Sequence, residues 1–183
     1  NLGGSTLTVE NCNSSGTIDG QYAGGIFGYQ ANTRSEGGAI TVTNCNSSAL
    51  IEGYFAGGIF GEAANFKSKE GGDITVTNCY SIGNIEGDNA GGIFGYVSNM
   101  ESQGGAITVT NCYSTGIIGL DYGTNLTEVS NSGGIFGPSV NLESKEGGDI
   151  TVTNCYTMGT IKGHLAGGII GGNYINYAGF AEV

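Results

Sequence analysis

Ile40-Thr41-Val42-Thr43-Asn44-Cys45 recurs along this chain with little change. Leu7-Thr8-Val9-Glu10-Asn11-Cys12 precedes it, and Ile74 to Cys79, Ile107 to Cys112 and Ile150 to Cys155 follow. About ten residues past each Cys comes a second phrase: Ala23 to Gly28, Ala56 to Gly61, Ala90 to Gly95, Ser132 to Gly137 and Ala166 to Gly171. Successive cysteines lie 33, 34, 33 and 43 residues apart, so the fourth unit holds a local insertion. A fixed period of this size marks an array whose units bury their apolar sides only against their neighbours.

Within a unit, Ile40-Thr41-Val42-Thr43 alternates apolar and β-branched polar residues, as a strand with one buried face should. Asn44 follows, and Asn best tolerates a left-handed bend among the non-glycine residues. Beyond it Cys45, Ser47, Ala49 and Ile51 share one parity and face inward, whereas Asn46, Ser48, Leu50 and Glu52 face out. Gly53 then turns the chain into a third strand, read as Gly-Gly-Ile-Phe-Gly, and a polar stretch such as residues 29–36 closes the unit as a loop. The expected fold is all-β: a parallel β-helix, or β-solenoid, of about five coils of ~33 residues with three short strands per coil. Helical repeats are set aside because the units are rich in Gly, Thr, Ile and Asn and show no 3.6-residue apolar period. The coils fall at residues 3–36, 37–70, 71–103, 104–146 (with an inserted loop at 120–131) and 147–183 of one continuous array.

Stacked coils about 4.8 Å apart would make a rod about 24 Å long, with like residues in columns. The amide column is Asn11, Asn44, Asn78, Asn111 and Asn154, whose side chains can bond one another. The thiol column is Cys12, Cys45, Cys79, Cys112 and Cys155. The aliphatic column is Ile18, Ile51, Ile85, Ile118 and Ile161; the aromatic one is Phe27, Phe60, Phe94 and Phe136, ending in Ile170. Stacked cysteines fall within disulfide reach, but the reading preferred for them is buried thiols acting as small hydrophobes. No Cys-x-x-Cys occurs and His164 has no repeated counterpart, so no metal is expected there.

The run Asn111-Cys112-Tyr113-Ser114-Thr115-Gly116-Ile117, with Gly-Gly-Ile-Phe-Gly nearby, resembles the GLUG motif of repeat-bearing surface proteins. That family is described mainly from bacterial cell-surface proteins, including the non-catalytic part of some immunoglobulin-cleaving metallopeptidases. The likeness covers nearly the whole chain, with Gly-Gly-Ile-Phe-Gly where the family usually has Gly-Gly-Leu-Val-Gly. The resemblance implies a solenoid fold and an extracellular or cell-surface location.

Charge narrows the partners. A formal net charge of −11, from 16 acidic and 5 basic residues, repels phosphate backbones and anionic lipid, which disfavours nucleic acid and electrostatic membrane binding. No apolar run reaches the ~18 residues of a membrane span. With neither a signal peptide nor an initiator Met visible, the expectation is a mature or excised piece.

Several faces are candidates for binding. Thr41 and Thr43, Thr75 and Thr77, Thr108 and Thr110, and Thr151 and Thr153 point outward as a grid spaced about 4.8 Å by about 6.8 Å, with Thr8 and Glu10 in the first unit. Such a grid is similar to the ordered face of ice-binding solenoids; the plainer account is that Thr favours an exposed strand. Tyr80, Tyr113 and Tyr156 form a stripe that could stack on glycans or pack cross-coil. Asp19, Glu52 and Glu86, followed in place by Lys162, stack like charges that Ca2+ or solvent screening could relieve. Asn13, Asn46 and Asn125 begin Asn-x-Ser/Thr triplets, the acceptor pattern for glycosylation. Arg34, Lys67, Lys69, Lys145 and Lys162 sit mostly in loops without acidic partners in an evident cleft, so no enzyme and no cofactor is expected. The reading is a non-catalytic structural repeat protein that stacks into a rod, stalk or filament, with itself or with the rest of a longer array. An ice- or carbohydrate-binding module is the alternative.

Overall fold

The computed structural model describes residues 4–120, 131–145, 148–172 and the backbone of 181–182. Among them there is no helix, and parallel strands stack into a β-solenoid. Leu7–Glu10, Ile40–Thr43, Ile74–Thr77, Ile107–Thr110, Ile150–Thr153 and Ala181–Glu182 form one parallel sheet in that order. The register is residue for residue, with Val42 opposite Val76 and Val76 opposite Val109. Ala181–Glu182 adds a strand that the repeat did not announce, with Ala181 opposite Ile150 and Glu182 opposite Thr151.

The alternation of each Ile-Thr-Val-Thr strand explains its placement. Ile and Val enter the core while Thr stays at the surface. Asn11, Asn44, Asn78, Asn111 and Asn154 all take positive φ, from 52° to 55°, and bend the chain into the second wall. There Asn13–Ser14, Asn46–Ser47, Tyr80–Ser81, Tyr113–Ser114 and Tyr156–Thr157 pair in sequence. Cys45, Ser47, Ala49 and Ile51 are fully buried, as their shared parity requires. Burying a side chain such as Ile51 contributes about 1.5–3 kcal/mol.

One local expectation is corrected. The third strand lies at Thr17–Asp19, Leu50–Glu52 and Ile85–Glu86, not at Gly-Gly-Ile-Phe-Gly. That phrase is a bend, held by isolated parallel pairs such as Phe60 with Phe94. Ile59 and Phe60 are adjacent and both fully buried, which an extended strand cannot achieve because its neighbours alternate faces. The N–H groups of both donate to the same carbonyl, Ile93 O, at 3.0 and 2.8 Å.

The polar stretch after the bend is the expected loop, made of turns, and it packs as part of the wall. Ala63, Asn65 and Lys67, like Val97, Asn99 and Glu101, alternate into positive φ. Each of these residues donates its N–H to a neighbouring repeat: Ala63 to Tyr96 O, Asn65 to Ala31 O and Lys67 to Met100 O, at 2.8–2.9 Å. A left-handed non-glycine residue costs about 1–2 kcal/mol. These cross-repeat bonds, and the side chains they turn inward, offset that cost.

Candidate functional site

Repetition brings like side chains together, so the candidate sites are columns. Phe27, Phe60, Phe94 and Phe136 stack with 4.7 Å between successive ring centroids and planes within 8° of parallel. Phe136 pairs onward with Ile170. Ile51, Ile85 and Ile118 are buried in a separate, smaller core, with Ile18 at its margin.

All five cysteines are free thiols: Cys45, Cys79 and Cys112 buried, Cys155 half-buried and Cys12 exposed. The N–H of each inner cysteine donates to the sulfur of the next, as from Cys45 to Cys79 Sγ at 3.4 Å. Each thiol also reaches the carbonyl two residues back, at 3.3 Å from Cys45 Sγ to Thr43 O. Burial pushes the Cys45 thiol up from its ordinary range, which keeps it protonated and poorly nucleophilic.

At the first bend the exposed amides form a ladder. Asn44 Nδ2 donates to Asn11 Oδ1 at 3.3 Å, Asn78 to Asn44 at 3.2 Å and Asn111 to Asn78 at 3.2 Å. A second ladder, inside the wall, was missed by sequence reasoning. Asn32 Nδ2 donates to Asn65 Oδ1 at 2.9 Å, Asn65 to Asn99 at 2.8 Å and Asn99 to Asn141 at 2.9 Å. The inner amides point toward the next repeat and the outer ones toward the preceding repeat, so the two ladders have opposite sense. The inner Nδ2 groups also bond carbonyls of the following strand approach: Asn32 to Gly72 O at 2.9 Å and Asn99 to Gly148 O at 2.7 Å. Ser35, Ser68, Ser102 and Ser144 are buried beside them, and Ser102 Oγ donates to Gly105 O at 2.6 Å. The sequence did carry a signal, since Asn32, Asn65, Asn99 and Asn141 each stand five residues after the column phenylalanine.

The outward faces differ in character. Thr41, Thr75, Thr108 and Thr151 form one in-register row, and Thr43, Thr77, Thr110 and Thr153 form the other. Thr8 begins the first row and Glu10 stands at the head of the second. Tyr80, Tyr113 and Tyr156 stack at 4.8 and 5.1 Å with planes within 7° of parallel. Exposed Ile82 and Met158 flank that stripe, so this face is apolar in the later repeats and polar at Asn13 and Asn46 in the first two. Asn13 is exposed and Asn46 half-buried; Asn125, like most of the inserted loop, lies outside the described residues.

Asp19, Glu52 and Glu86 stand in register and line an open groove of about 320 Å³ with Tyr54 and Leu120. No cluster of three or more His, Cys, Asp or Glu among the described residues is placed to hold a metal ion. Two lysines expected to lack acidic partners have them: Lys67 Nζ lies 3.1 Å from Glu101 and Lys69 Nζ 2.6 Å from Glu36. The Lys69 ammonium bonded to it holds the Glu36 carboxyl below its usual range. No helix among the described residues is long and apolar enough to cross a membrane. The chain matches no protein-family model, no curated protein and no solved structure.

Proposed function

We propose that this chain is a non-catalytic structural repeat protein of the cell surface or extracellular space, whose five coils stack into a rod that extends by head-to-tail contact. The observation that carries this reading is the state of the first repeat. Val9, Ile26 and Phe27 are only partly buried, whereas Val42, Ile59 and Phe60, one repeat further on, are fully buried. Asn32 Oδ1 is buried and accepts no hydrogen bond among the described residues, whereas the corresponding Asn65 Oδ1 accepts one from the preceding repeat. A further coil set on this face, from a second copy or from more of the array, would cover the apolar columns and supply the missing amide donor. Unpaired strand edges template such addition, and a heterologous contact of this kind propagates as an open fibre.

Other features agree with a structural role. The repeated columns are aliphatic, aromatic, amide and thiol, and they pack on one another rather than converging on a substrate. The buried Cys45 thiol, kept protonated, is also protected from oxidation outside the cell. The resemblance to GLUG repeats favours the same location. Sedimentation velocity and electron microscopy of the 183-residue chain over rising concentration test the proposal. End-to-end oligomers one solenoid wide are expected; monomers at every concentration would overturn head-to-tail assembly.

A second reading, an ice- or carbohydrate-binding module, rests on the in-register threonine rows. Ice shaping by the intact protein, abolished when Thr75 and Thr108 are replaced by Tyr, would favour it.

A further inference from the structure

Where the glycine-rich bend meets the inner-amide wall, the outer surface holds a groove of about 290 Å³, close to the lower bound of about 300 Å³ for small-molecule sites. Its walls include Tyr29, Phe66 and Tyr96, with Met100 beside them, and Glu62 contributes a carboxylate. The rings are held in place by their neighbours: Tyr29 lies 4.9 Å from Tyr22, and Tyr96 lies 4.7 Å from Phe55. Burial pushes the Glu62 carboxyl up, and no Lys or Arg among the described residues pairs with it.

The chain contains the same chemistry in intramolecular form next door. The Lys67 ammonium sits 4.9 Å from the Phe66 ring centroid and 3.1 Å from Glu101. A ring face and a carboxylate therefore hold a cation at this corner of the solenoid; Phe66 is engaged in that way, whereas Tyr29 and Tyr96 stand beside Glu62 with no internal ammonium over them among the described residues. We propose that this groove binds a small quaternary-ammonium ligand, its methyl groups against Tyr29 and Tyr96 and its charge facing Glu62. Aromatic faces attract such cations electrostatically, and a methylated ammonium loses little hydration on entering. A primary ammonium or a sugar fits less well, because both need several hydrogen-bonding partners. Besides the Tyr29 and Tyr96 hydroxyls, the polar side chains of the groove are Glu62 and Gln30, and Gln30 Nε2 is already bonded to the Tyr29 hydroxyl at 3.0 Å. The net charge of −11 also raises the local concentration of cations of any kind, so the test must separate site binding from that background.

Choline and its uncharged isostere 3,3-dimethylbutan-1-ol are the probes, titrated into the full chain at constant ionic strength. The readout is the methyl resonances of the two methionines, Met100 in the groove and Met158, 76% exposed on the tyrosine face. Choline is expected to shift Met100 saturably and leave Met158 unmoved, and the alcohol to bind about tenfold more weakly or not at all. Glu62→Gln, close to isosteric, should weaken choline binding about five- to tenfold, and Tyr96→Ala about threefold. Equal binding of both probes, parallel movement of Met100 and Met158, no saturable shift, or unchanged affinity in folded Glu62→Gln would each overturn the assignment.

Discussion

Phe94→Ala should lower the unfolding free energy by about 3–5 kcal/mol, the range for removing a fully buried phenylalanine. Phe94 has no exposed surface and is stacked at 4.7 Å on both Phe60 and Phe136. Its removal leaves a cavity between two rings whose positions are fixed by parallel pairing on either side, so the site collapses poorly. Urea titration followed by far-UV circular dichroism reads the loss directly, and the thermal midpoint should fall by about 10 °C. The same change at Phe27 provides the internal control. That ring has a stacking partner on one side and is only partly buried, so its loss should cost less than half as much. Equal costs at the two positions would mean that the column is not cooperative in the way the stacking implies.

Asn99→Leu is expected to be comparably severe, about 4 kcal/mol or more, although it trades a polar residue for an apolar one of similar size in the interior. Asn99 is fully buried and accepts from Asn65 at 2.8 Å while donating to Asn141 at 2.9 Å and to Gly148 O at 2.7 Å. Leucine leaves Asn141 Oδ1 and Gly148 O without that donor, and each orphaned buried group costs about 1–3 kcal/mol. The backbone adds to this, since φ at Asn99 is 58° and a leucine there is strained by about 1–2 kcal/mol. Asn78→Leu separates the two effects. Asn78 has almost the same φ, 54°, but its amide belongs to the exposed ladder, where water replaces the lost partner. The difference between the two variants in the same denaturation experiment isolates burial from backbone strain, and it should be about 2 kcal/mol or more.

The two positions also mark what the sequence made legible. The Ile-Thr-Val-Thr strands, the asparagine bend and the inward parity of Cys45, Ser47, Ala49 and Ile51 all follow from period-2 alternation, and the structure realises them. The bend at Gly58-Ile59-Phe60 was misread because its apolar content suggested a strand. Two large apolar neighbours flanked by glycines argue for a turn instead, since a strand would send one of them into water. The inner asparagine ladder was hidden by composition: Ala-Asn-Phe-Lys-Ser around Asn65 looks like a solvated loop. Its burial depends on partners 33 to 42 residues away, which no local window contains. Only the constant five-residue offset from the column phenylalanine betrays it. The aromatic groove around Glu62 was illegible for the same reason, since Tyr29, Phe66 and Tyr96 come from three different repeats.

All of these arguments require that equivalent residues of successive repeats touch. Methyl nuclear Overhauser contacts of Val76 measure that most directly, because its register partners Val42 and Val109 lie 34 residues before it and 33 after it. Strong cross-peaks from Val76 to both valines are expected at the strand spacing of about 4.8 Å. A Val76 that contacts only residues of its own repeat would contradict the stacked solenoid, and with it every column described above.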